Sequence, residues 1–78
     1  MENTITFNYC EQFEKSFQHP YRIDILEGVL KLRHSFHLYL NGRIKHVQGD
    51  VINIEDSKIN PNDKDTEMFM AKITVKKY

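Results

Sequence analysis

Apolar and polar residues alternate strictly near both ends of the chain. In the segment TITFNY (4–9), every second residue is large and apolar, which is the two-residue period of a half-buried strand. In the segment MFMAKITVKKY (68–78), positions 69, 71, 73 and 75 are apolar, and the lysines fall outside this set, at 72, 76 and 77. The pattern therefore predicts an early strand and a final strand, each with one buried face.

A different spacing follows the first strand. In CEQFEKSF (10–17), Phe13 and Phe17 follow Cys10 by three and seven positions, and the residues between them are polar. That spacing is typical of an amphipathic helix, and the proline at position 20 would stop it. We therefore predict one short helix near residues 10–18.

Residues 21–35 fit two interpretations. Apolar side chains alternate up to Ile25, and alternation resumes from Leu30 after a turn signal at Gly28. A helix from Ile23 to about Phe36 also finds apolar neighbours three and four residues apart, but Gly28 in its interior would cost ~1 kcal/mol relative to alanine. The sequence favours strands over a helix here.

The segment FHLYLNGRIKH (36–46) predicts a β-hairpin with a histidine on each arm. A two-residue type I′ turn, which the Asn-Gly dipeptide favours, would place His37 opposite His46. A three-residue loop with Gly42 in a bulge would instead place Phe36 opposite His46 and collect the apolar side chains on one face. Because burial of one face also sets the register, we favour the bulged form, in which the two histidines point apart.

The remaining segments complete a prediction of the fold. A long strand runs from Arg43, with Gly49 marking a bulge or bend, and a polar loop of about a dozen residues covers 56–67. The whole chain, 1–78, is predicted as a single domain of class α+β, mostly β. Its short N-terminal helix would pack on a twisted antiparallel meander of about five strands, or on a small barrel.

The apolar phase of each segment also predicts a core. Each of its members lies on the apolar face of its own helix or strand, and together they are Phe7, Phe13, Phe17, Ile23, Leu32, Leu38, Ile44, Ile54, Phe69 and Ile73. A chain of 78 residues buries only about 60% of the surface that its unfolded form exposes, so the margin of stability is small. A deep catalytic cleft is therefore not expected.

Charge is segregated although the net charge is zero. Residues 28–49 carry four Lys and Arg and no acid, whereas residues 1–27 and 50–67 carry five and six acids.

The single cysteine excludes an internal disulfide, which favours a reducing compartment. No segment approaches the ~18 apolar residues of a membrane span, and the first residues lack the apolar core of a secretory signal. We therefore expect a cytoplasmic protein without a membrane segment.

Candidate metal ligands do not converge. Two histidines three residues apart, as in HSFH (34–37), point to opposite faces of a strand, whereas a metal needs three or four convergent ligands. No metal site is therefore predicted from Cys10, His19, His34, His37 and His46. The acidic loop lacks the ligand order and the central glycine of an EF-hand. No calcium site is predicted from Asp56, Asn60, Asn62, Asp63, Asp65 and Glu67.

Catalytic motifs are also lacking, so we expect no enzyme and no cofactor. Cys10 lies on an apolar stripe, which is typical of a core residue rather than a nucleophile, and the sequence contains no glycine-rich phosphate loop.

The strongest remaining signal is a basic and aromatic surface on the acid-free segment, formed by Arg33, His37, Tyr39, Arg43 and Lys45. Arginine and tyrosine are enriched where proteins bind one another, so we predict a small adaptor or inhibitor of a protein partner. Phage and mobile-element proteins that disable a host complex have this size and type. Binding of RNA or single-stranded DNA is the alternative. A homodimer through an edge strand is a further option.

Overall fold

The computed structural model describes residues 3–16 and 18–78, which form one antiparallel sheet and one helix. The elements in chain order are β1 (Thr4–Glu14), α1 (Arg22–Lys31), β2 (Ser35–Leu40), β3 (Arg43–Pro61) and β4 (Thr66–Lys77). Hydrogen bonds join the strands in the order β1-β4-β3-β2, so β1 and β2 are the two edges. The described chain is mostly β, as predicted, but it has four strands rather than about five, and its sheet is open.

The first strand is longer than the sequence pattern predicted. The prediction of a helix near residues 10–18 is wrong for residues 10–14, which continue β1 and pair with β4 as far as Glu14 opposite Thr66. Phe13 keeps the odd phase of Phe7 and lies partly buried against the core, whereas Cys10 is exposed. The strand is therefore favoured because it buries Phe13 on the face that is already apolar. The predicted core residue Phe17 lies outside the described residues.

The helix instead occupies part of the ambiguous segment, and the prediction of strands there is wrong. Leu26 and Leu30, four residues apart, share the face that packs on the core. At the start of the helix, Arg22 forms an ion pair with Glu67 of β4 at 2.8 Å. The Ser57 hydroxyl of β3 donates a hydrogen bond to the Glu27 carboxylate. These tertiary contacts offset the ~1 kcal/mol that an interior glycine costs a helix.

The third strand changes its partner near Gly49. Residues 43–48 pair with β2, and residues 49–61 pair with β4. Register shifts interrupt the second pairing between Val51 and Asn53 and between Glu55 and Lys58. The predicted irregularity at Gly49 therefore takes the form of a change of partner, with the bulges a few residues later. The predicted polar loop 56–67 is mostly strand, because β3 continues to Pro61 and β4 begins at Thr66.

The hairpin has the two-residue turn, and our preference for the bulged form is wrong. His37 lies opposite His46, and Leu40 lies opposite Arg43. Asn41 and Gly42 have φ angles of 52° and 75°, which is the left-handed backbone that a type I′ turn requires. In this register Arg43 and Lys45 share a face with the leucines of β2, but both cations stay exposed. The preference of the turn can therefore decide the register. The register therefore buries no charge.

The core lies on the inner faces of the strands and on one face of α1. Its buried members are Leu30, Phe36, Leu38, Val47, Phe69, Ala71, Ile73 and Val75. Of the predicted core, Leu38, Phe69 and Ile73 are buried, and Phe7, Phe13 and Ile54 are partly buried against them. Ile23 is half-buried. The prediction is wrong for Leu32 and Ile44, which are exposed, because the helix and the two-residue turn changed the phases of their segments.

Candidate functional site

Two histidine rings stack on the outer face of the β2–β3 hairpin. The ring centroids of His37 and His46 are 4.6 Å apart and the planes differ by 8°. Hydrogen-bonded and non-hydrogen-bonded pairs alternate along a hairpin. Counted from the bonded pair that closes a two-residue turn, this pair is non-hydrogen-bonded, which brings the side chains closest. The Ser35 hydroxyl also shares a hydrogen bond with Nε2 of His46. The turn and its register therefore build the stack.

This register can be tested with introduced cysteines in a Cys10→Ser background. His37→Cys combined with His46→Cys should oxidise readily to an intramolecular disulfide, since non-hydrogen-bonded partners have Cα atoms ~4.5 Å apart. His37→Cys combined with Lys45→Cys is the matched control, because those positions face each other only in the bulged register. Thiol alkylation followed by mass spectrometry reads both variants. Faster oxidation of the control pair would contradict the two-residue turn.

The two apolar side chains nearest the histidines are strongly exposed. Tyr39 and Ile44 lie opposite each other, next to the histidine pair on the same face, and their exposed fractions are 74% and 70%. We call the four side chains His37, Tyr39, Ile44 and His46 the hairpin surface. The sequence pattern predicted Ile44 in the core, so half of this surface was missed. Taking the type I′ turn of Asn-Gly as decisive would have placed Ile44 and His46 correctly.

The five predicted site residues do not share one surface. His37 and Tyr39 belong to the hairpin surface, whereas Arg43 and Lys45 lie opposite Leu40 and Leu38, on the other face of the hairpin. Arg33 lies in the connection between α1 and β2. The single basic and aromatic surface expected from the bulged register is therefore divided among three places.

Arg33 contacts the edge strand β1. Its Nη1 donates a hydrogen bond of 2.7 Å to the hydroxyl of Tyr9, and its guanidinium carbon lies 5.7 Å from the centroid of the Tyr9 ring. The Tyr9 hydroxyl in turn donates to the Glu11 carboxylate at 3.0 Å. Burial, followed by this hydrogen bond to Glu11, raises the pKa of Tyr9 to about 12. Tyr9 is therefore a neutral hydroxyl at physiological pH.

The helix carries a second exposed apolar surface. The side chains Tyr21, Ile25, Val29 and Leu32 recur every three or four residues and are exposed, so they form one stripe along α1. The stripe does not follow from the strands predicted for residues 21–35, because these positions line one face only in a helix.

The candidate metal ligands named from the sequence are spread over several parts of the structure. Among residues 3–16 and 18–78, no three His, Cys, Asp or Glu side chains are grouped closely enough to hold a metal ion. His34 contacts the Asp50 carboxylate at 3.0 Å and the Tyr78 hydroxyl at 3.0 Å. In the acidic turn, Asp63 accepts hydrogen bonds from the backbone N–H groups of Asp65 and Thr66, each at 2.8 Å. The bond from Asp65 contributes most to lowering the pKa of Asp63.

Within the part of the chain that the structure describes, no helix has the length and apolar character needed to span a bilayer.

Comparisons with known proteins give no further guide to the site. Searches against protein-family models, curated proteins and solved structures find nothing that matches this chain.

Proposed function

We propose that the chain is a non-enzymatic binding module of the cytoplasm, which acts as an adaptor or inhibitor by stoichiometric binding to a protein. The observation that carries the proposal is the exposed pair of Tyr39 and Ile44 on the hairpin surface. Tyrosine is among the residues that dominate binding energy at the centres of protein interfaces. Because these two side chains remain in water, they contribute little to the stability of the fold. Their burial against a partner would remove apolar surface from water, which favours binding.

The hairpin also holds this surface in a fixed shape. Asn41 and Gly42 adopt the turn without bulges, and the stacked histidines lie directly beside Tyr39 and Ile44. A surface that is already ordered loses less conformational entropy on binding than a flexible loop. The arrangement therefore favours recognition by a complementary protein surface.

The charge distribution favours a protein over the alternative partner, RNA or single-stranded DNA. A nucleic-acid site combines cations for the phosphates with rings on which the bases stack. Here Arg43 and Lys45 project from the face opposite to Tyr39, so one nucleic-acid strand cannot contact these cations and that ring together. The net charge of zero also provides no general attraction to phosphates.

Two double variants on opposite faces of the hairpin test the proposal. Tyr39→Ala with Ile44→Ala should keep the fold and weaken binding to the partner at least about a hundredfold, since interface hot spots contribute ~2 kcal/mol each. Arg43→Ala with Lys45→Ala is the matched control and should bind normally. The partner is first identified by placing the photo-crosslinking residue p-benzoylphenylalanine at position 39, with position 78 as the control site. Affinities are then measured with the purified partner.

Three results would contradict the proposal. A crosslink to nucleic acid rather than protein would favour the alternative, as would loss of binding only in the Arg43→Ala, Lys45→Ala variant together with a steep dependence on salt. Normal binding by the Tyr39→Ala, Ile44→Ala variant would exclude the hairpin surface. The stripe on α1 would then become the surface to test, with Tyr21→Ala and Val29→Ala.

A further inference from the structure

The two edges of the open sheet approach each other across a groove. Phe36 of β2 contacts the rings of Phe7 and Tyr9 of β1, with centroids 5.6 and 6.3 Å apart and the planes steeply inclined. Above these rings lies a groove of about 580 Å³, lined by residues 7–10 of β1, residues 35–38 of β2 and Arg33. The sheet therefore curls until inward side chains of its two edge strands touch, while the backbones of those strands stay apart.

Both walls of the groove present unused backbone hydrogen-bonding groups. In an antiparallel pair, alternate residues of an edge strand direct their N–H and C=O groups away from the partner strand. The pairs formed by β1 are with β4, and those formed by β2 are with β3. Within the walls of the groove, residues 7–10 and 35–38, no backbone hydrogen bond to another described segment is found. An extended peptide that enters the groove can therefore be hydrogen bonded as an added strand.

The groove carries one positive side chain that lacks an acidic partner. Arg33 forms no ion pair with a carboxylate of residues 3–16 or 18–78, and its hydrogen-bond partner is the Tyr9 hydroxyl. No acid is found among the described residues that line the groove. Glu11, which accepts a hydrogen bond from the Tyr9 hydroxyl, lies just outside that lining. A guanidinium in this position is suited to a carboxylate of the bound segment.

We propose that this groove binds an extended segment of a partner protein that carries a single carboxylate, pairs with residues 7–10 at the edge of β1 and places the carboxylate against Arg33. A second copy of the chain is a poorer occupant. Its β1 would bring Glu11 and Glu14 without any base alongside an identical acidic strand, and like charges on paired strands are unfavourable. The inference rests on the proposed function only in taking the partner to be a protein, since the groove shares only His37 with the hairpin surface.

Short blocked peptides test the groove without knowledge of the natural partner. The probe has nine residues, alternating threonine and valine, with aspartate at the centre, and the matched control has lysine at the centre. Titration of isotope-labelled protein by NMR should shift the amides of residues 7–10 and 35–38. The aspartate peptide should bind at least about tenfold more tightly than the lysine peptide, because only aspartate can form a charge-assisted bond with Arg33.

Two further measurements separate strand addition from simple charge attraction. Arg33→Ala should reduce the preference for aspartate to within about twofold, whereas Lys31→Ala, which removes a positive charge two residues away in the sequence, should leave the preference unchanged. Methylating alternate backbone nitrogens of the aspartate peptide, on the side that faces β1, should abolish binding. Hydrogen exchange of alternate amides between residues 4 and 14 should slow when the unmethylated peptide is bound.

The opposite results would overturn the inference. They are the absence of binding at millimolar peptide, equal affinity for the two peptides, or unchanged binding after backbone methylation. A free protein that sediments as a dimer and already protects the outward amides of β1 from exchange would also overturn it. Tighter binding of oligothymidylate than of the aspartate peptide would show that the groove recognises nucleic acid. The Tyr39→Ala, Ile44→Ala variant should bind the aspartate peptide normally, so that the hairpin surface and the groove can fail separately.

Discussion

Replacement of Gly49 by alanine should leave little folded protein at room temperature. A Cβ atom built on Gly49 would lie 2.2 Å from the carbonyl oxygen of Lys76 and 2.7 Å from Cγ1 of Val75. The oxygen belongs to the backbone of β4, and moving it would disturb the adjacent pairing of Asp50 with Lys76. Inserting a methyl group into a packed site costs ~1–3 kcal/mol even where side chains can yield. A domain this small has only ~3–5 kcal/mol in total.

The matched control for this prediction is the same substitution at Gly28. No heavy atom outside the local helix lies within 4 Å of a Cβ built there, and alanine is favoured over glycine inside a helix by ~1 kcal/mol. Gly28→Ala should therefore raise the free energy of unfolding while Gly49→Ala lowers it. Urea denaturation followed by circular dichroism measures both. A Gly49→Ala protein with the urea midpoint of the wild type would contradict the close approach of β3 and β4.

The strands at the two ends of the chain could be predicted because alternation is a local signal. Residues 4–9 and 68–77 belong to β1 and β4, and the residues predicted to face inward do so. The helix could not be predicted in the same way, because Leu26 and Leu30 fit a helical face while neighbouring residues also fit an alternating strand. Contacts distant in sequence decided between them, including the bond from Ser57 to Glu27. A pattern within one segment contains no information about such partners.

The candidate site depended on a choice between two physical effects in the hairpin. Burial of one apolar face favours the bulged loop, which we predicted. In the structure, the hairpin segment 43–48 pairs with β2 and not with β4, and Arg43 and Lys45 stay in water. Little burial is lost there, so the preference of Asn-Gly for a two-residue turn prevails. A shift of one residue then moved Ile44 and His46 to the outer face.

The second large effect concerns Ile73, which is fully buried at the centre of the sheet. It pairs with Phe7 on one side and with Ile54 on the other, so neither neighbouring strand can move into the space that a smaller residue would leave. Ile73→Ala should therefore cost ~2–5 kcal/mol through lost burial and a residual cavity. That loss approaches the entire stability of a small domain, and thermal melting should show a largely unfolded protein at 37 °C.

Ile44→Ala provides the comparison, because it removes the same atoms from a residue of the same type. Both isoleucines were predicted in the core, whereas 70% of Ile44 is exposed to water. Its truncation should therefore change the free energy of unfolding by no more than ~0.5 kcal/mol. In the bulged register, Ile44 would face the core beside Leu38, and the two substitutions would destabilise by similar amounts. Comparable losses for Ile44→Ala and Ile73→Ala would therefore overturn the register on which the hairpin surface depends. Retained stability of Ile44→Ala would also make its effect on partner binding attributable to lost contacts rather than to unfolding.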